Sequence, residues 1–185
     1  KGLAEEFGKT RVVNTPISEG TVVGLAVGAA VLGFRPVVEV MFVDFITLAM
    51  DQLVNHAAKL HYMSGGQLRV PLTIRVQGGV IGSYGAHHSQ SLEAWFLHIP
   101  GLKVVLPSNP ADAKGLLKAA IQDDNPVLFM EHRGLYWSRG EVPERDHVVP
   151  MGRAAVRRPG EDVTVLALSR MVGLAMEAAE QLEEE

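Results

Sequence analysis

The sequence predicts an α/β fold, a doubly wound, mostly parallel sheet with helices on both faces. Three observations predict it. Helical and extended patterns alternate along the chain, with no internal repeat or low-complexity stretch. The extended runs are β-branched and nearly continuous in apolar character, as in strands covered on both faces. The chain has 185 residues, 47% hydrophobic and 21% charged, a balance that fits one domain with its own core and excludes a disordered tail.

The elements follow in order. Lys1 to Phe7 reads as the end of a helix and Val12-Val13 as a short strand. Ser18 to Gly33 is a helical run closed by Gly33 and by Pro36 beyond it. Residues 36–41 form a buried strand, and Asp44 is placed to cap a long helix from Phe45 to about Met63, which Ser64-Gly65-Gly66 ends. Leu72 to Val76 is the next strand and leads into a glycine-rich loop from Gly78 to Gly85. A helix from Ser91 to His98 precedes a strand from Leu102 to Leu106. Asn109-Pro110-Ala111-Asp112 is a strong helix start, with Asn as cap and Pro in the first turn, and that helix runs to Gln122. Val127 to Glu131 is the fifth strand, Arg139 to Pro150 a polar loop, and Val163 to Leu168 with the helix after Met171 begins another unit. Both ends read as cut from a longer chain.

Composition excludes several functions. The formal net charge is −4, which gives no electrostatic footprint for nucleic acid. The chain has no cysteine, so thiolate nucleophiles, disulfides and cysteine-based zinc sites are excluded together. The longest apolar stretch, Thr21 to Phe34, is shorter than the ~20 residues needed to span a bilayer, and no targeting segment opens the chain.

Gly20, Gly24 and Gly28 recur every four residues and so share a helix face. Each costs about 1 kcal/mol relative to alanine in a helix, so the face is one that something approaches closely: the protein's own framework, another backbone or a flat ligand. Glu19 stands at the first turn of this apolar helix, where a carboxylate complements the helix dipole. Phe45 follows the strand ending near Met41, at the carboxyl end where open parallel sheets bind ligands, although a phenylalanine there also suits the core. His87-His88-Ser89-Gln90 follows the glycine loop; adjacent histidines are poor chelators and read equally as a surface pair.

The string Glu19, four residues, Gly24-Leu25, two residues, Gly28-Ala29 resembles the pyrimidine-binding motif of thiamine diphosphate enzymes. Thr15 to Glu19, Arg35 to Glu39, Asp51 to Asn55, Tyr62 to Gly66, His88 to Ser91 and Gly101 to Val105 resemble, in order, the β subunit of 2-oxo acid dehydrogenases of the pyruvate dehydrogenase type. The resemblance implies that Glu19 hydrogen-bonds a ring nitrogen of the cofactor's aminopyrimidine and promotes its imino form. Burial among Ile17, Val22 and Val23 would raise the pKa of Glu19 towards that task. It implies that Phe45 stacks on the aminopyrimidine with Met41 nearby, and that His88 handles the 2-oxo acid or the incoming lipoyl group. His87 and the scattered His56, His61, His98, His132 and His147 receive no role.

The turn from Ala120 to Pro126 carries two acids at a helix end, against the dipole. The resemblance implies a structural monovalent cation there, K+, held by oxygens of Leu72, Ala120, Ile121, Asp123 and Asn125 and offsetting that charge. No Gly-Asp-Gly followed by Asn is present, the pattern resembling a Mg2+ and diphosphate site. The resemblance therefore implies that an α subunit in an α2β2 assembly holds Mg2+ and the diphosphate, and that the acyl group passes to a lipoyl-bearing acyltransferase. It further implies residues 1–150 as the pyrimidine-binding domain and 151–185 as a linker and the start of a carboxyl-terminal domain, the fragment alone being inactive. The expected location is a bacterial cytoplasm or a mitochondrial matrix. Competing readings are an acetoin dehydrogenase, a transketolase-like enzyme domain and a catalytically silent assembly module.

Overall fold

The computed structural model describes residues 2–82 and 84–183; Lys1, Ser83 and Glu184-Glu185 lie outside them. Four strands, β1 (Val37–Val40), β2 (Thr73–Gly78), β3 (Lys103–Val105) and β4 (Val127–His132), form one all-parallel sheet in the order β1-β2-β4-β3. Val38 pairs with Ile74, Ile74 with Leu128 and Val104 with Leu128. Every strand lies inside a run read from the sequence as extended, or overlaps it by all but its last one or two residues.

Alternation along β4 explains why its sequence is apolar throughout. Leu128 and Met130 enter the larger core, with Ile74, Val76, Val38 and Val40. Val127 and Phe129 enter a second core with Val105, Ala120, Leu116 and Leu117. The larger core is covered by α2 (Glu19–Val31) and the segment after β1, the smaller by α5 (Pro110–Gln122), so the sheet is covered on both faces. The α5 start is as expected: the Asn109 side chain accepts from the Asp112 N–H at 2.9 Å, and Pro110 sits in the first turn. Helix α2 is followed, past its cap Leu32, by Gly33, whose φ of +96° an L-residue rarely adopts.

Four expectations are corrected. The run from Phe45 to Met63 is not one helix but a 3-10 segment (Val43–Ala49), a π-helical turn (Gln52–Ala57) and the short α3 (Leu60–Met63). Val12 and Val13 form no strand: the Val12 N–H donates to the Gly8 carbonyl, so the pair completes the turn after α1 (Leu3–Phe7). The Ser91 to His98 helix shrinks to α4 (Glu93–Leu97). Val163 to Leu168 makes no ladder among the described residues, and Val163, Val165 and Leu166 are exposed. An extended run becomes a strand only beside another strand's open edge, and this one finds none before α6 (Met171–Glu183). No helix among the described residues is long and apolar enough to cross a membrane.

Candidate active site

The carboxyl ends of β1, β2 and β4 lie side by side, so whatever follows them gathers at one edge of the sheet. After β1 come Met41, Phe42 and the 3-10 segment; after β2 comes Gly79 and the glycine loop; after β4 comes Arg133, which opens a further 3-10 turn (Arg133–Leu135). Phe45 and His88, distant in sequence, meet here with ring centroids 5.3 Å apart and planes at 84°. Phe42 lies 4.7 Å from His88, and His87 4.7 Å from His88. The Phe42 and Phe45 contacts are edge-to-face, an arrangement that aromatic rings favour and that fixes the position of the imidazole.

Asp44 does not cap a helix. It is buried at 4% exposure, and its Oδ1 accepts from the Gln90 side-chain amide at 2.8 Å and from the Gln90 backbone N–H at 3.3 Å. The Gln90 carbonyl accepts from the Gly79 N–H at 3.0 Å. Gln90 therefore ties the two ends of the glycine loop together, and Asp44 ties that closure to the segment carrying Phe42 and Phe45. A 3-10 winding, tighter than α, lets Asp44 face inwards between the buried Val43 and the half-buried Phe45. The Oδ2 of Asp44 is buried without a hydrogen-bond partner among the described residues.

Helix α2 brings Glu19 to the same segment. A Cβ on Gly20 would lie 3.1 Å from the Leu48 carbonyl oxygen, and one on Gly24 3.3 Å from Cγ of Gln52. The glycines thus serve packing inside this chain at Gly20 and Gly24, whereas Gly28 is exposed with nothing within 4 Å of its would-be Cβ. Glu19 is the first helical residue, half-buried, and its carboxyl makes no hydrogen bond among the described residues. The apolar surround expected for it is only partly present: Val23 is buried, Val22 half-buried, and Ile17 is 89% exposed. Met41 is also exposed, at 58%. Of the residues expected at a cofactor, the structure brings Phe45 and His88 into contact, puts Glu19 on the helix packed against Phe45's segment, and leaves Met41 at the open rim.

Phe42, Asp44, Gln90 and Arg133 also gather at this edge, and the sequence alone did not place them there. Asp44 had a signal, an acid inside Val43-Asp44-Phe45-Ile46, but capping explained it locally. Phe42 and Arg133 had none: the Arg133 guanidinium carbon lies 5.0 Å from the Phe42 centroid and 4.1 Å from that of Tyr84, contacts that only the fold creates.

The turn expected to hold a cation is served by the protein itself. Arg35 donates to the carbonyls of Ile121, at 3.2 Å, and Asp123, at 2.9 Å. Asp124 pairs with Arg35 and Arg69, and Asp123 with Lys103. The Leu72 carbonyl accepts from Val127, that of Ala120 from Asp123, and Asn125 donates to the Asp123 carboxylate. Burial raises the Asp123 pKa, but the bonds from Lys103 and Asn125 outweigh it and hold the carboxyl below its ordinary value. Arg35, chiefly, holds Asp124 low. These ion pairs offset the charge of both acids, so the helix-end charge by itself does not call for an ion at this turn.

A second polar group lies on the α5 face. Arg75 makes a two-pronged bond to Glu131, at 2.7 and 3.0 Å, and the Tyr136 hydroxyl donates to Glu131 at 2.6 Å. Burial, then the bond to Glu131, raises the Tyr136 pKa far above the usual phenol value. A cleft of about 420 Å³ between this group and α5 is lined by Phe129, His132, Pro107 and Leu117 among others. His132 closes against Gly79, and burial lowers its pKa.

Residues 1–138 match the family described as Transketolase, pyrimidine binding domain. The chain belongs to that family. Beyond the pyrimidine-binding domain, residues 152–185 match the family described as Transketolase, C-terminal domain. The β subunit of the acetoin:2,6-dichlorophenolindophenol oxidoreductase of Bacillus subtilis (strain 168) is 52% identical over 100% of this chain and 54% of that subunit. The 2-oxoisovalerate dehydrogenase subunit beta of the same organism is 48% identical over 100% of this chain and 57% of its own length. The pyruvate dehydrogenase E1 component subunit beta of Rhizobium meliloti (strain 1021) is 50% identical over 99% of this chain and 40% of that subunit. Among solved structures, a split-gene transketolase described as an inactive beta4 tetramer superposes with a TM-score of 0.78 and 26% identity, covering 100% of this chain and 58% of that one. The chain spans about half the length of the curated relatives it matches.

Proposed function

We propose that the chain is the pyrimidine-holding part of the β subunit of a thiamine-diphosphate-dependent enzyme that oxidatively decarboxylates 2-oxo acids. Residues 1–150 are the pyrimidine-binding unit and 151–185 the passage into the carboxyl-terminal domain. The observation that carries this reading is the meeting of Phe45 and His88, 5.3 Å apart at the carboxyl edge of the sheet. The donor set suits an aminopyrimidine: one carboxyl without a protein partner, on a helix packed against the segment that carries a half-buried aromatic ring.

Bound thiamine diphosphate supplies the electron sink that loss of CO2 from a 2-oxo acid requires. Glu19 holds or shares a proton at a ring nitrogen, a task for a carboxyl with no competing donor from its own chain. Phe45 offers a flat apolar face, and Met41 lies at the rim. His88, gripped between Phe42 and Phe45, donates to a carboxylate or developing oxyanion and passes a proton. Mg2+ and the diphosphate belong to an α subunit in an α2β2 assembly, and the acyl group leaves on a lipoyl-bearing acyltransferase. The same site reading serves relatives named for acetoin, 2-oxoisovalerate and pyruvate. The test is Glu19→Gln in the full-length parent with its α partner, followed through thiamine-dependent reduction of an artificial electron acceptor.

A further inference from the structure

Arg133 is a half-buried cationic donor whose charge nothing described in this chain meets. It follows the last residue of β4, at the sheet edge where the site gathers. Its guanidinium lies over the rings of Phe42 and Tyr84, which fix its plane. Phe42 touches His88 as well, so one ring joins the arginine to the candidate catalytic imidazole. Arg133 forms no ion pair among the described residues, and its Nη1 is buried with no hydrogen-bond partner there. Asp44 Oδ2, the other buried atom in that condition, does not bond it. Glu131, two residues before it in sequence, is committed to Arg75 and Tyr136.

A guanidinium cannot shed its proton, so a buried and unpaired N–H on it calls for an acceptor. Native proteins keep very few such groups, and each calls for a physical explanation, a bound partner or a catalytic role among them. The acceptor that matches a guanidinium best is a planar oxyanion, bound by two parallel N–H bonds. We propose that Arg133 reads the carboxylate of the 2-oxo acid, and so makes the site discriminate 2-oxo acids from neutral hydroxyketones of similar size. The inference rests on the thiamine-enzyme reading above and sharpens its substrate class. A hydroxyketone has no carboxylate to offer and leaves Nη1 unpaired, and a site built around such a donor rejects the ligand that cannot use it.

The experiment uses the full-length parent assembled with its α partner, as wild type, Arg133→Lys and Arg133→Met. Pyruvate, 2-oxoisovalerate and acetoin are each followed by reduction of an artificial electron acceptor, and the assembly is checked by size. Where acetoin is not turned over, it is scored as a competitive ligand by its inhibition constant. The Met variant is expected to lose roughly 10–100-fold in kcat/KM for the 2-oxo acids, the range for losing a charged hydrogen bond. The loss falls mainly in KM, acetoin is affected less than about threefold on the same scale, and Lys restores part of it. Equal losses on acetoin, no loss on either class, or dissociation of the assembly (an α-subunit acid then being the partner) overturns the proposal. A wild type that turns over acetoin and neither 2-oxo acid also overturns it, while leaving the thiamine reading intact. Absence of any thiamine-dependent turnover in an intact wild-type assembly is the failure of that reading itself, and the inference falls with it.

Discussion

Replacing Asp44 by alanine removes the carboxylate that joins the Phe42–Phe45 segment to the closure of the glycine loop. Two bonds are lost, from the Gln90 amide side chain at 2.8 Å and from its backbone N–H at 3.3 Å. Hydrogen bonds to a charged group contribute about 1.5–3 kcal/mol each when well formed, and the longer one belongs at the lower end. Against this, the substitution also removes a buried Oδ2 without a partner, whose desolvation costs the native protein about 1–3 kcal/mol. The net expectation is a loss of about 2 kcal/mol and at most about 3.5, with Asp44→Asn losing less because an oxygen acceptor remains. The assay is hydrogen exchange in the full-length protein with its α partner, read at the peptide amides of Gln90 and Gly79, together with thermal unfolding. Exchange at these two amides rises by one to two orders of magnitude or more on that scale, while β3 and α5 stay protected. Unchanged protection at Gln90 with unchanged stability would refute the tie. A uniform rise over the whole sheet would mean that Asp44 supports the fold generally and does not position the His88 loop.

Two further outcomes follow from His132 and its neighbour. Gly79→Ala puts a Cβ 2.3 Å from the His132 ring at a φ of +81°, so strain in the left-handed region and displacement of the ring together cost about 2–4 kcal/mol, measured by urea unfolding. His132 is held neutral: burial, then Arg170, lowers its pKa, with Glu93 opposing, and its Nδ1 accepts from the Gly134 N–H. A depressed histidine stabilises the native state above the unfolded value near 6.5 and loses that contribution as pH falls towards the folded one. Urea midpoints measured between pH 7.5 and 5 therefore fall more in wild type than in His132→Gln; equal slopes would remove His132 as a source of the pH dependence.

The sheet was legible because its strands carry their own signal. Runs such as Val127 to Met130 are apolar on both faces, and Asn109-Pro110 marks the start of α5 at the observed residue. The break-up of the Phe45 to Met63 run was not legible, since α, 3-10 and π windings share an apolar stripe; what selects among them is the close approach of Gly20 to Leu48 and the pull of Gln90 on Asp44. Of the candidate site, Glu19, Phe45 and His88 were singled out through motif resemblance. Gln90 and Arg133 were not, because their meaning depends on contacts 46 residues away to Asp44 and across the sheet edge to Phe42. The acids of the turn expected to hold K+ looked unpaired in sequence for the same reason: their partners Arg35, Arg69 and Lys103 come from three other elements or loops.

The central claim is that Glu19 is the proton-holding carboxyl of a thiamine site, and Glu19→Gln in the full-length parent with its α partner tests it most directly. Thiamine diphosphate retention, assembly size and acceptor reduction with pyruvate, 2-oxoisovalerate and acetoin are measured side by side. The account predicts an intact assembly that still retains cofactor while turnover falls by roughly 10²–10⁴-fold, the usual range for losing a positioned acid-base group. Wild-type turnover in the Gln variant would contradict it.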